Sequence, residues 1–147
     1  MLKIYTPDDR DEAINLFMGV FTVKPFSYEW LKRKDVERYF ADMENTPAAL
    51  SFLYYENKGL PLTGLCFGVE NTYFRAKLYE IKELAIRQNV QGTGLGSQMM
   101  DEIAGYLSNQ GLSAIKLMTQ RNIAAYGFYV KNEFVPSDTA VTLFREI

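Results

Sequence analysis

The chain has 147 residues, 48% apolar and 23% charged, a size and balance that predict one soluble globular domain over residues 1–147 and exclude a disordered or fibrous chain. With 16 Lys and Arg against 18 Asp and Glu, the formal charge is −2, too even for a protein whose affinity comes from neutralising many phosphates, so nucleic acid is not an expected partner. Histidine is absent and Cys66 is the single cysteine, which removes Ser-His-Asp and Cys-His catalysis, His-ligated zinc, thiolate metal clusters and an intramolecular disulfide. Proton transfer near neutral pH then falls to a carboxylate, tyrosine, lysine, the one thiol or ordered water, and no metal is expected. The first residues lack the uncharged apolar run of a secretory signal, and no stretch approaches the roughly 20 apolar residues of a membrane span. The expected setting is the cytoplasm, away from membranes.

Residues 2–5 read as a short strand, ended by Thr6-Pro7-Asp8-Asp9, where Thr6 and Asp9 have capping-box spacing and Pro7 suits a first helical position. The helix that follows places Ala13, Leu16, Phe17 and Val20 on one face, and Pro25 interrupts it. Ser27 is positioned to cap a second helix over about 28–44, with Trp30, Leu31, Tyr39, Phe40 and Met43 among charges and Glu29 four residues before Arg33. Residues 49–55 have strand composition, Glu56-Asn57-Lys58-Gly59 reads as a turn, and residues 63–69 form the returning strand of a hairpin. A polar link over 70–75 precedes a third strand of that sheet at about 77–86. The period then changes: Leu95, Met99, Met100, Ile103 and Leu107 mark a helix ending at Gly111. A strand at 113–119, a helix at about 122–131 and a last strand near 141–145 complete an α+β chain whose mixed sheet contains a parallel crossover.

Val90-Gln91-Gly92-Thr93-Gly94-Leu95-Gly96-Ser97 lies between a strand and the helix after it, where free backbone N–H groups and the helix dipole attract an anion. Alternate glycines remove side chains that would block a phosphate's approach. The spacing is Gly-x-Gly-x-Gly, neither the dinucleotide Gly-x-Gly-x-x-Gly nor a P-loop. A bare glycine cluster also serves as a permissive turn with no ligand.

The segment resembles motif A of the GNAT superfamily of N-acetyltransferases, Gln/Arg-x-x-Gly-x-Gly/Ala, through Gln91, Gly94 and Gly96 after Glu83-Leu84-Ala85-Ile86. A second block, from Asn122 through Ala125, Phe128, Tyr129 and Lys131 to Phe134, is similar to the family's Asn-x-x-Ala-x-x-Phe-Tyr-x-Lys-x-Gly-Phe. The order of elements agrees over essentially the whole chain, although the front half is matched only by that order. The resemblance implies the GNAT fold, a mixed, mostly antiparallel sheet of about six to seven strands with about four helices. One departure is Glu133, which stands at the family's glycine. A non-glycine residue in the left-handed region costs on the order of 1 kcal/mol, and Asn132 is the alternative bearer of that conformation.

The resemblance further implies acetyl-CoA as cosubstrate and a primary amine, on a small molecule or a peptide, that attacks the thioester directly. Backbone N–H groups of Gln91, Gly92, Thr93, Gly94, Leu95, Gly96 and Ser97 would hold the pyrophosphate, with Asn122 and Tyr129 also toward the cofactor. Leu84, Ala85 and Ile86 would pair with the pantetheine arm, and an N–H at Ile86 or its neighbour would polarise the thioester oxygen. Tyr129 matches the tyrosine that hydrogen-bonds the leaving thiolate; its other reading is an aromatic packed on its helix. The candidate bases are Glu80 and Glu83. Residues three apart on a regular strand face opposite ways, so one alone reaches the site unless a bulge intervenes. Either carboxylate has the alternative of solvating an edge or pairing with Lys77 or Lys82. Cys66, within Leu65-Cys66-Phe67, reads as a buried small apolar residue and not a nucleophile.

Acceptor specificity is expected from Phe21, Phe26, Tyr28, Trp30, Tyr73 and Phe74, with Asp35, Asp42, Glu44 and Glu70 as ammonium partners; packing of these aromatics in the core is the competing reading. Apolar strand and helix surfaces are compatible with a homodimer. Two other function classes remain at this level: a non-catalytic acyl-CoA-binding sensor or scaffold, and a nucleotide-binding protein of unrelated fold.

Overall fold

The computed structural model describes residues 1–24, 26–28 and 32–147. Five strands form one sheet in the order of the chain: β1 (Leu2–Ile4), β2 (Phe52–Tyr55), β3 (Leu62–Tyr73), β4 (Ala76–Ile86) and β5 (Ala114–Leu117). The first four run antiparallel to their neighbours, and β5 is parallel to β4. Strand alternation sorts the side chains into two cores. One face carries Leu53, Leu65, Phe67 and Ala85 against α1 (Arg10–Phe21) and α2 (Arg33–Glu44). The other carries Phe52, Tyr54, Cys66, Tyr79 and Ile81 against α3 (Leu95–Asn109). A last helix, α4 (Ala124–Lys131), sets Phe128 against this second core.

Helix boundaries follow local chemistry. Thr6 N–H donates to the Asp9 carboxylate at 3.0 Å, and Pro7–Asp9 form a 3₁₀ turn that leads into α1. Gly111, at φ 80°, lets the Leu112 N–H return to the Leu107 carbonyl at 3.0 Å and ends α3. The second helix starts later than its spacing predicts: Lys32 is its N-cap, so Ser27 is not the cap of this helix. Pro25, Glu29, Trp30 and Leu31, with the helix break, the Glu29–Arg33 pair and the apolar contacts expected of them, lie outside the described residues. Arg33 pairs with Glu37 and with Asp11 of α1.

The predicted polar link over 70–75 is absorbed into the strands. The β3–β4 ladder continues through Glu70↔Tyr79 to Tyr73↔Ala76, which leaves a two-residue turn with Phe74 at φ 53°. The strand expected near 141–145 does not form, so the sheet has five strands and not six or seven. Its alternation is strand-like, but Val141, Leu143 and Phe144 are 78%, 86% and 89% exposed. A strand exists by backbone pairing, and no ladder joins this segment to β5; Thr142 Oγ1 lies 3.0 Å from Met118 Sδ, just beyond that strand.

Within β4 the register skips Lys82: Phe67 faces Glu83 and Gly68 faces Ile81. Tyr79 crosses over Gly68 to donate to the Leu50 carbonyl at 2.7 Å. A Cβ on Gly68 would lie 2.3 Å from the Tyr79 hydroxyl oxygen and 2.7 Å from the Glu80 carbonyl oxygen. Gly68→Ala is therefore expected to destabilise the fold by about 1–3 kcal/mol, read as a lower midpoint in urea unfolding.

Candidate active site

The ladder between β4 and β5 ends at Ile81↔Leu117, while β4 continues to Ile86. Arg87 N–H donates to the Thr63 carbonyl at 2.9 Å. By antiparallel alternation from that bond, Ala85 directs its N–H and C=O toward β3, and Leu84 and Ile86 direct theirs into the gap beyond β5. Gln91 Nε2 donates to the Ile86 carbonyl at 2.8 Å, so the loop after β4 is tied to the end of that gap. The Leu84 N–H and C=O and the Ile86 N–H are the groups a bound chain could meet there.

The glycine turn stands beside this gap. Gly92 and Gly94 have φ 79° and 93°, and a Cβ at either would find nothing within 4 Å, so their left-handed backbone faces open space. The Gln91 and Thr93 N–H groups are used inside the turn, on the Gln88 and Val90 carbonyls. The first intrahelical bond of α3 runs from Gln98 N–H to the Gly94 carbonyl at 3.0 Å. The N–H groups of Leu95, Gly96 and Ser97 precede it and point out of the helix end, where an anion is favoured. The Leu95 side chain is buried in the core. Gly96 has a packing role as well: its Cβ would lie 3.0 Å from the Phe128 ring. This close approach brings α4 against the start of α3. An open turn with outward N–H groups beside an unpaired strand end fits an acyl-CoA, whose phosphates need donors and whose pantetheine amides need backbone partners.

Tyr129, the next residue on α4, is wedged between Phe128 and Phe134, each with ring centroids 5.4 Å away. Burial pushes its hydroxyl pKa up, and the fields of Cys66 and Glu83 push the same way. The helix closes with Phe134 N–H donating to the Tyr129 carbonyl at 3.1 Å, and Glu133 takes the left-handed position at φ 67°. Asn132 does not share that strain, at φ −96°; its side chain donates to the Phe128 carbonyl at 2.7 Å. Asn122 is exposed in the turn before α4.

The bulge at Lys82 puts Glu80 and Glu83 on the same face of β4, the face of Phe67 and Val69. Their environments differ. Glu80 accepts from Asn71 Nδ2 at 2.9 Å and Lys82 Nζ at 2.7 Å and lies 3.5 Å from Lys116 Nζ, and the Lys82 hydrogen bond foremost holds its carboxyl below the usual range. Glu83 has no lysine partner among the described residues. Burial raises its pKa, and a 2.9 Å hydrogen bond from the Tyr39 hydroxyl opposes that rise. Tyr39 is not among the site residues expected from the sequence. Its signal was present: Val36, Tyr39, Phe40 and Met43 share one face of α2, and a hydroxyl on an inward face needs a partner. A groove of about 1190 Å³ along the outer side of β5 is lined by Glu80, Lys116, Met118, Tyr129, Phe134 and Thr142 among others.

Cys66 is fully buried, its thiol pushed up to about 12 by desolvation. Of the expected acceptor residues, Phe21, Phe26 and Tyr28 pack on one another at the end of α1. Tyr73 and Phe74 sit at the exposed β3–β4 turn. Glu44 is engaged by Arg10 and by the Tyr5 hydroxyl, so it is not a free ammonium partner. Trp30 lies outside the described residues.

A sheet whose β4–β5 pairing stops beside a glycine turn and a helix N-terminus defines a protein of the α+β GNAT fold. The chain belongs to the acetyltransferase (GNAT) family, whose model matches residues 11–134. Solved structures agree on the fold. An aminoglycoside acetyltransferase from an uncultured soil metagenomic sample is 18% identical, with 100% of this chain and 95% of that one covered and a TM-score of 0.71. The aminoglycoside antibiotic 6'-N-acetyltransferase of Acinetobacter haemolyticus is 8% identical, with 100% and 99% covered and a TM-score of 0.73. A transcriptional regulator from Bacillus halodurans is 14% identical, with 99% of each chain covered and a TM-score of 0.75. At these identities the likeness concerns the fold alone. No protein of curated function matches the chain by sequence. Among the described residues no helix is long and apolar enough to cross a membrane.

Relief of the left-handed strain gives a local test. Glu133→Gly is expected to stabilise the protein by about 0.5–1 kcal/mol, seen as a higher Tm, because glycine adopts this φ without steric cost but loses more chain entropy on folding.

Proposed function

We propose that this protein transfers the acetyl group of acetyl-CoA to a primary amine by direct attack. The observation that carries the reading is the unpaired end of β4, which presents backbone donors next to an open anion turn and bears a desolvated carboxylate, Glu83, on the same strand. Bound acetyl-CoA supplies the activated thioester, so the chain needs no nucleophile of its own. The N–H groups at the start of α3 bind the pyrophosphate, and the Leu84 and Ile86 backbone orients the arm. The Ile86 N–H polarises the acyl oxygen, a contribution worth about 2.7–4 kcal/mol for a single oxyanion donor.

Glu83 receives the amine's proton through water. Desolvation makes it the stronger base of the two glutamates, whereas Glu80 is stabilised as an anion by its lysines and shapes the field. Tyr129 donates a hydrogen bond toward the departing sulfur. A thiol has a reference pKa of roughly 8.5, below a tyrosine already raised by burial, so hydrogen bonding and not proton transfer is its role. Cys66 has neither exposure nor a base and takes no part. Aminoglycosides are the first amine class to assay, because two proteins of the same fold acetylate them.

The test follows free CoA thiol with acetyl-CoA and sisomicin, spermidine, free lysine or a peptide with a free N-terminus. At least one amine should drive thiol release. Binding is checked separately by thermal shift, since CoA at 100 times its Kd stabilises by about 2.7 kcal/mol. Stabilisation by CoA without release on any amine overturns the catalytic reading. Glu83→Gln is expected to lower kcat by about 10²–10⁴-fold and Glu80→Gln by less than about tenfold. Because Glu83 must be ionised to accept the proton and its pKa is raised, wild-type kcat should rise with pH through a midpoint above the free-carboxylate value of about 4.3. Cys66→Ala should leave kcat near wild type; a loss of about 10³-fold or more would sink direct attack.

A further inference from the structure

We propose that Tyr39 is a positioning residue that fixes the Glu83 carboxylate by donating its hydroxyl to one oxygen and leaving the other free to take a proton. The inference rests on the reading of Glu83 as the base and extends it to a second element of the fold. The Tyr39 hydroxyl lies 2.9 Å from Glu83 Oε1, across 44 residues of sequence. Among the described residues Oε2 has no partner within hydrogen-bond distance. The donor is itself immobilised: the Tyr39 ring packs on Phe17 with centroids 6.0 Å apart and on Phe40 at 6.4 Å. Packing against two neighbouring rings restricts where the hydroxyl can lie, so the hydrogen bond favours one Glu83 rotamer.

Among the described residues, few groups face Glu83. Tyr39 comes from α2 and Tyr129, which feels the Glu83 charge, from α4. Glu80 shares its face of β4 but is paired with Lys82 and Lys116. Phe67 lies opposite on β3, and α1 contributes apolar Phe17, Val20 and Phe21 to the adjoining core. Desolvation alone disfavours the ionised form of Glu83. The Tyr39 bond favours the ionised form, and because burial and the Glu83 charge raise the phenol's own pKa, the donor keeps its proton.

The experiment titrates carboxyl-¹³C-labelled glutamate by NMR in the full chain, with the Glu83 signal assigned by its loss in Glu83→Gln. It compares wild type, Tyr39→Phe and a protein carrying 3-fluorotyrosine at position 39, a stronger donor on nearly the same ring. The kcat–pH profile is measured in parallel with acetyl-CoA and the most active amine of the panel. Tyr39→Phe keeps the ring packing and removes the bond, so the Glu83 midpoint should rise by about one pH unit and the acid limb of kcat should move with it. Fluorotyrosine should shift both the other way. An unmoved Glu83 midpoint in both variants overturns the proposal. A limb abolished by Glu83→Gln yet unmoved by Tyr39→Phe removes the positioning role and spares the base. A limb that survives in Glu83→Gln rejects Glu83 as base and, with it, any catalytic role for Tyr39.

Discussion

Strand β4 has partners on both sides as far as Ile81 and on only one side from there to Ile86, and the candidate site is organised around that asymmetry. Backbone N–H and C=O groups are obligatory hydrogen-bonding groups, so a strand end that faces no neighbour must be completed by solvent or by a ligand. Gln91 completes one carbonyl and in doing so anchors the glycine turn to the strand. The bulge at Lys82 follows directly after the last β5 pair and turns Glu83 to the face shared by Glu80. Loss of pairing, the position of the turn and the orientation of the carboxylates are thus consequences of a few residues in one strand.

Burial then separates groups of identical chemistry. Glu80 and Glu83 are three residues apart, yet one is ringed by Lys82, Lys116 and Asn71 while the other meets a single phenol in a desolvated setting. Charge partners lower a carboxyl pKa and desolvation raises it, so the two diverge in opposite directions. The same desolvation pushes the Cys66 thiol up to about 12 and makes it chemically quiet. In a chain without histidine, placement relative to solvent is the available means of making a base.

The three glycines of the turn are not equivalent. Gly92 and Gly94 supply left-handed backbone beneath open space, whereas Gly96 makes room for the Phe128 ring. That contact links the glycine turn to the helix that carries Tyr129. The phenol is thereby held at a distance from the turn set by packing, with Phe134 closing the other side of the ring. The strain accepted at Glu133 belongs to the same device, since the helix ending it permits brings Phe134 back onto Tyr129.

Much of this was legible in the amino-acid order. Periodicity located α1, α3, α4 and the strands up to β5, and the spacing of Gln91, Gly94 and Gly96 with the block from Asn122 to Phe134 pointed to the family. Those signals are local, because a helix face or a turn is written within a few residues. The start of α2 at Arg33, the two-residue turn at Phe74 and Arg75 and the unpaired segment over 141–145 were not, because each depends on what the backbone finds to pair with. The choice between the glutamates was likewise undecided, since a bulge shows itself only in the register between two strands. Tyr39 was visible as an inward-facing residue of α2, but its partner is 44 residues away. The sequence by itself determined most of the elements, the glycine turn and the chemistry on hand; only the tertiary structure decided which carboxylate is desolvated and which hydroxyl meets it, because solvent exclusion is a property of packed layers and not of neighbours along the chain.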